Sequence, residues 1–132
     1  MPHYPHMAAA DKAIWDRYIK QQPNEFDAVL YDVPVGSGAD FSTVVNEYTG
    51  GDCKRLYQRR IDVIGRQGDV LWIIELKPRA STAALGQVNG YLSLFKRDHP
   101  DCPLVYPMLI TDILVPEMDY LAQEQNVRIA LA

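Results

Sequence analysis

Asp62 and, thirteen residues further on, the triplet Glu75-Leu76-Lys77 are the residues of this chain best suited to chemistry. Both lie in stretches of strand composition, Leu56 to Gly65 and Asp69 to Lys77, separated by Arg66-Gln67-Gly68-Asp69. Gly68 can take the positive φ that a two-residue type II′ hairpin turn requires. With Gly68 and Asp69 as the central residues, Asp62 falls opposite Glu75 and Arg60 opposite Lys77. Period-2 alternation sets all four on one face and leaves Ile61, Val63, Trp72, Ile74 and Leu76 on the reverse, a face of core character. An acid, an apolar residue and a lysine in a row also arise on ordinary half-exposed strands, as part of a solvated face. The context here differs, because Leu71 to Leu76 is nearly all apolar and Glu75 interrupts a strand that favours burial. A buried carboxylate is costly unless a cation or hydrogen-bond donors compensate it. The opposed Asp62 adds like-charge repulsion, and a divalent cation relieves both costs. Hard oxygen donors open to water suit Mg²⁺ or Mn²⁺, not zinc.

Asp62, the gap, Glu75-Leu76-Lys77 and a following helix that carries Gln87-Val88-Asn89-Gly90-Tyr91 resemble the PD-(D/E)xK nuclease superfamily. The Gln-x-x-x-Tyr part resembles its RecB-like branch. The likeness covers about residues 27–112; Ile61, not proline, precedes Asp62. What it implies is a Mg-dependent nuclease acting on DNA. Asp62 and Glu75 would hold Mg²⁺ or Mn²⁺, with the Leu76 carbonyl as a further candidate ligand. Lys77 would orient the attacking water or stabilise phosphoryl charge. Gln87 and Tyr91 would position the nucleic acid or a metal-bound water, and Arg60 and Arg79 are candidate phosphate clamps. Many members carry a glutamate in the first helix. Asp11, on the flank shared with Trp15 and Tyr18, is the candidate here, with Asp16 and Asp32 as rivals.

The chain has 132 residues, 48% hydrophobic and 23% charged, as expected of one globular domain. No apolar run approaches membrane-spanning length, and no charged-then-apolar leader pattern opens the sequence, so neither a membrane nor secretion is expected. Cys53 and Cys102 have no metal-type spacing and make no disulfide scaffold. A reducing, cytoplasmic setting fits, in a host cell or virion if the chain is phage-encoded. The net charge is −4, yet residues 54–79 hold Lys54, Arg55, Arg59, Arg60, Arg66, Lys77 and Arg79 against Asp62, Asp69 and Glu75, a net of +4. The basic excess lies on the hairpin of the acid pair, where phosphates would need it. The acidic remainder favours a different class, a nuclease-like fold serving as a structural or binding subunit, for instance in a phage particle or larger assembly. A homodimeric junction-resolving nuclease is a third reading.

Around these residues the sequence predicts a tail over 1–7, holding His3 and His6, and a single domain over 8–132. Ala8 to Gln22 reads as a helix with Ile14, Trp15, Tyr18 and Ile19 on one face. A strand from Asp27 to Val35 leads to the Gly36-Ser37-Gly38 loop and an irregular stretch with a flexible point at Gly50-Gly51. After the hairpin, Pro78 is expected to stop the strand and Ser81 to cap a helix from Thr82 to Arg97. Leu85, Val88, Leu92 and Phe95 of that helix should face a sheet. A strand from Leu104 to Ile110, a helix from Asp112 to Gln125 interrupted by Pro116, and a strand from Val127 to Leu131 complete the chain. The order α-β-β-β-α-β-α-β predicts an α/β fold with a mixed central sheet flanked by helices. Its first six elements match the restriction-endonuclease-like core that the resemblance implies.

Overall fold

The structure, a computed structural model, describes residues 7–36 and 59–132. The readings for His3, His6, Gly50-Gly51, Cys53, Lys54, Arg55 and the first residues of the predicted hairpin strand lie outside the described residues. The elements run in the order α1 (Ala9–Gln21), β1 (Ala28–Val35), β2 (Arg59–Gln67), β3 (Val70–Arg79), α2 (Thr82–Asp98), β4 (Val105–Ile113), α3 (Pro116–Glu124) and β5 (Arg128–Leu131). The strands form one sheet in the spatial order β1-β2-β3-β4-β5. β1, β2 and β3 pair antiparallel, whereas β3, β4 and β5 pair parallel. Parallel neighbours need a crossover connection, and α2 and α3 provide the two. The architecture is the mixed α/β sheet expected from the sequence.

The β2–β3 hairpin turns where counting from Gly68 places it. Gly68 has φ +61, Asp69 has no positive φ, and Gln67 pairs with Val70, with the register running back to Val63 opposite Ile74. Those signs are the type II′ pattern, which matches strand twist and needs glycine first. The Gly68 N–H also donates to Asp27 Oδ2 at 2.8 Å, tying the turn to the start of β1.

Each face of the sheet carries its own core. Ile14, Trp15 and Tyr18 of α1 pack on Val63, Ile74, Leu76, Met108 and Ile110. Leu85, Val88, Tyr91 and Phe95 of α2 pack on Ile61, Ile64, Ile73 and Leu109 of the opposite face. Burying each large side chain of this kind stabilises the fold by about 1.5–3 kcal/mol. The expected separation of the hairpin into a charged face and an apolar one is therefore corrected. Both faces are covered, and Ile61 joins the α2 core instead of sharing a side with Val63.

Two boundaries also differ from expectation. Pro78 lies within β3, which continues to Arg79. Leu71 donates its N–H to the Leu104 carbonyl just ahead of β4, whereas past Pro78 the alternation has shifted and it is the Ala80 N–H that donates to the Ile113 carbonyl. The β2–β3 ladder ends at Ile74 and the β3–β4 register passes over Pro78, so its missing N–H costs no sheet bond. Pro116 does not interrupt a helix but begins one, at a first-turn position where an N–H has no helical partner. α3 ends in a Schellman motif: Asn126 has φ +57, Val127 N–H donates to the Ala122 carbonyl and Asn126 N–H to the Gln123 carbonyl. Ser81 caps α2 as expected, its Oγ accepting from Ala84 N–H at 3.1 Å.

Candidate active site

The site forms where β2 and β3 part. Beyond the pair Val63–Ile74 the ladder stops, and the next residues inward are Asp62 and Glu75. Leu76 N–H points toward β2 and donates to Asp62 Oδ2 at 3.2 Å, so a carboxylate replaces the backbone acceptor that a continuing strand would offer. In an extended strand the N–H and C=O of one residue point the same way, so the Leu76 carbonyl faces the same gap.

Glu75 is only 2% exposed, although it interrupts an apolar strand, because β3 is the central strand and both its faces are covered. Its Oε2 is buried with no hydrogen-bond partner, and its Oε1 stands 3.9 Å from Lys77 Nζ. Burial, then the Asp62 charge and a hydrogen bond with Asp62, push the Glu75 carboxyl up to about 9, against which Lys77 acts weakly. Burial also raises Asp62, partly offset by the Leu76 N–H. Burial and the neighbouring Asp62 charge thus favour the protonated form of Glu75. Lys77 is half-exposed, reaching from the buried acid toward solvent.

The acid of α1 nearest this pair is Asp11. It lies within electrostatic reach of Asp62, Glu75 and Lys77, and burial raises its own pKa against the pull of Lys77. Asp16, five residues on, projects from a different side of the helix. Asp32 is ion-paired to Arg60, Oδ2 to Nη1, at 3.1 Å. Arg60 is therefore held on β1, opposite Pro34, and the expected Arg60–Lys77 pair is not part of the ladder. Arg79 lies exposed near the end of β3.

Gln87 and Tyr91 meet on α2, where Gln87 Nε2 donates to the Tyr91 hydroxyl at 2.7 Å. Tyr91 is 7% exposed, so it belongs to the core more than to a polar flank. The pair lines a groove of about 500 Å³ together with Arg59, Ala83, Gly86, Gly90 and Leu94. Arg59 figures in the sequence only within the basic run of the hairpin and is not singled out there as a residue of the site.

The donor set suits a hard divalent cation. Two carboxylates forced together, one with an orphaned buried oxygen, are stabilised by a positive charge between them. Among the described residues, no group of three or more His, Cys, Asp or Glu side chains is arranged to hold an ion. Asp62, Glu75 and the Leu76 carbonyl are the groups that could do so.

No family model and no curated protein sequence matches this chain. Solved structures do. EndoMS in complex with double-stranded DNA superposes with a TM-score of 0.53 at 17% identity, over 100% of this chain and 48% of that one. A repair endonuclease from Pyrococcus abyssi gives 0.54 at 16% identity, over 100% and 49%. A protein of unknown function gives 0.59 at 11% identity, over 91% and 56%. The chain has the fold of these structures and spans about half their length. No helix among the described residues is long and apolar enough to cross a membrane.

Proposed function

We propose that this chain is a metal-dependent nuclease of the PD-(D/E)xK type that hydrolyses phosphodiester bonds of DNA. The observation that carries this reading is Glu75, a buried acid with one oxygen unpartnered, pressed against Asp62 and accompanied by Lys77. No fold gains stability from such an arrangement alone. The endonuclease fold of the structural neighbours, one of them bound to double-stranded DNA, supports the same reading.

In this reading Asp62, Glu75 and the Leu76 carbonyl hold Mg²⁺ or Mn²⁺, with Asp11 as the acid contributed by the first helix. A bound divalent cation lowers the pKa of water and neutralises charge that develops on phosphoryl oxygens. Lys77, half-exposed beside the pair, orients the attacking water or stabilises the phosphoryl group. Gln87 and Tyr91 position the nucleic acid along the α2 groove, and Arg79 contacts phosphate. Arg60, engaged by Asp32, is a weaker candidate for that contact.

The second reading, a nuclease-like subunit of a larger assembly, draws on the absence of a three-acid cage among the described residues. Purified protein incubated with Mg²⁺ or Mn²⁺ and linear, circular and single-stranded DNA or RNA separates the two. Cleavage lost in Asp62→Ala and Glu75→Ala supports the nuclease. A wild type inactive on every substrate, with a melting temperature indifferent to millimolar metal, would favour the subunit.

A further inference from the structure

One residue outside the acid pair stands in a conformation that strands do not ordinarily adopt. Asp32, in the middle of β1, has φ +55. That left-handed region is uncommon for residues other than glycine, with aspartate and asparagine the best tolerated. It interrupts an otherwise regular ladder. Tyr31 pairs with Val63 and Val33 with Ile61, so Asp32 stands at the position facing Asp62 with no residue inserted.

Residues two apart on a strand share a face. Across this position they do not. Val29, Tyr31 and Val63 belong to the core under α1, whereas Val33, Val35 and Ile61 belong to the core under α2. Both strands turn at the same place. β2 pins the turn: Arg60 Nη1 donates to Asp32 Oδ2 at 3.1 Å and to the Asp32 carbonyl at 3.3 Å. These side chains are 22% and 12% exposed, so the contact is largely shielded from solvent. The turn coincides with the point where Asp62 leaves the ladder and reaches Leu76 N–H.

The geometry points to Asp32 as a positioning residue, whose left-handed backbone, clamped by Arg60, turns β1 and β2 so that the Asp62 carboxylate is delivered into the gap beside Leu76 and Glu75. The inference rests on the reading of Asp62 as an active-site acid. A straight β1 would keep Ile61 and Val63 on one side and hold Asp62 within the ladder. Arg60 then serves the shape of the site by holding Asp32.

Three substitutions separate conformation from charge. Asp32→Asn keeps both left-handed tolerance and an acceptor oxygen; Asp32→Gly keeps the conformation alone; Asp32→Val opposes it, since a β-branched residue at positive φ is an outlier. The primary readout is the Leu76 amide, by its proton shift and its hydrogen exchange in metal-free protein, which requires no activity. Asp32→Asn should match wild type and Asp32→Gly should stay close to it. Asp32→Val should lose the Leu76 hydrogen bond, and its kcat, measured well below its melting temperature, should fall by roughly 10²-fold with little change in KM. A wild-type-like Leu76 amide in Asp32→Val, or equal damage in Asp32→Gly and Asp32→Val, overturns the inference. If Asp32→Val does not fold, Arg60→Ala tests the clamp, and an unchanged Leu76 amide there overturns it equally. A wild type that cuts nothing while its Leu76 amide still depends on Asp32 would count against the proposed activity and for the positioning role.

Discussion

Replacing Glu75 by glutamine tests the buried acid pair without touching DNA. The folded state raises Glu75 from its ordinary value of 4.5 to about 9, through burial first and the Asp62 charge second. Between those values folded Glu75 keeps a proton that the unfolded chain has released. Folded protein then binds more protons, so stability is fully present below about pH 4.5 and declines as pH rises toward about 9. The slope is about 1.4 kcal/mol per pH unit, so the loss from about pH 5.5 to about pH 8.5 is roughly 4 kcal/mol. That is a large part of the ~5–15 kcal/mol that holds a domain together. Because the residue is 2% exposed, solvent screening dilutes the effect little. Glutamine keeps the shape and carries no charge, so its variant should lack this slope. In melting curves taken with chelator, wild type should fall on the order of 10 °C further than Glu75→Gln across the window. Mg²⁺ or Mn²⁺ should flatten the wild-type profile. Parallel curves for the two proteins would refute the raised Glu75.

Further outcomes follow from other residues of the site. Lys77→Ala should lower the cleavage rate by roughly 10²-fold or more with modest effect on DNA affinity, and a variant that cuts as fast as wild type would move the active site elsewhere. Arg79→Ala should reduce the slope of log affinity against log salt by about one unit, whereas Arg60→Ala, whose guanidinium is held by Asp32, should leave that slope unchanged. Binding measured across a salt series distinguishes them, and the reverse ranking would reinstate Arg60 as a phosphate contact.

The hairpin could be read from the sequence because its turn demands a residue of positive φ, Gly68, and register follows by counting outward from it. α2 was readable for similar reasons, with Ser81 as cap and an apolar spacing that repeats every turn. The burial of the acid pair was legible only in part, from Glu75 interrupting an apolar strand. Alternation along one strand separates two faces but does not say what covers either. The nearly unbroken apolar run from Leu71 to Leu76 was the sign that both would be covered. Pro78 misled because its effect depends on which edge of the strand carries a partner, a property of neighbours and not of the residue. Asp32 left no sign, since an aspartate in a strand is written identically whether φ is negative or positive. Asp11 could be named as a candidate from the helix flank, but only the packing of α1 on the sheet brings its charge near Asp62 and Glu75.

Strand order that follows chain order has a kinetic consequence for the acid pair. Hairpin β2–β3 closes through a two-residue turn and can form early, while β4 joins only after the α2 crossover. Glu75 pairs with Leu109 of β4, so the central position of β3 that buries it is complete only once that strand docks. If docking follows the rate-limiting step, the charge penalty is absent from the transition state and present in the native state. Glu75→Gln should then slow unfolding by up to about 10³-fold at about pH 8.5, the whole of the roughly 4 kcal/mol, while refolding keeps nearly its wild-type rate. A substitution that instead accelerated refolding would place the docking of β4, and the drying of the site, before the barrier.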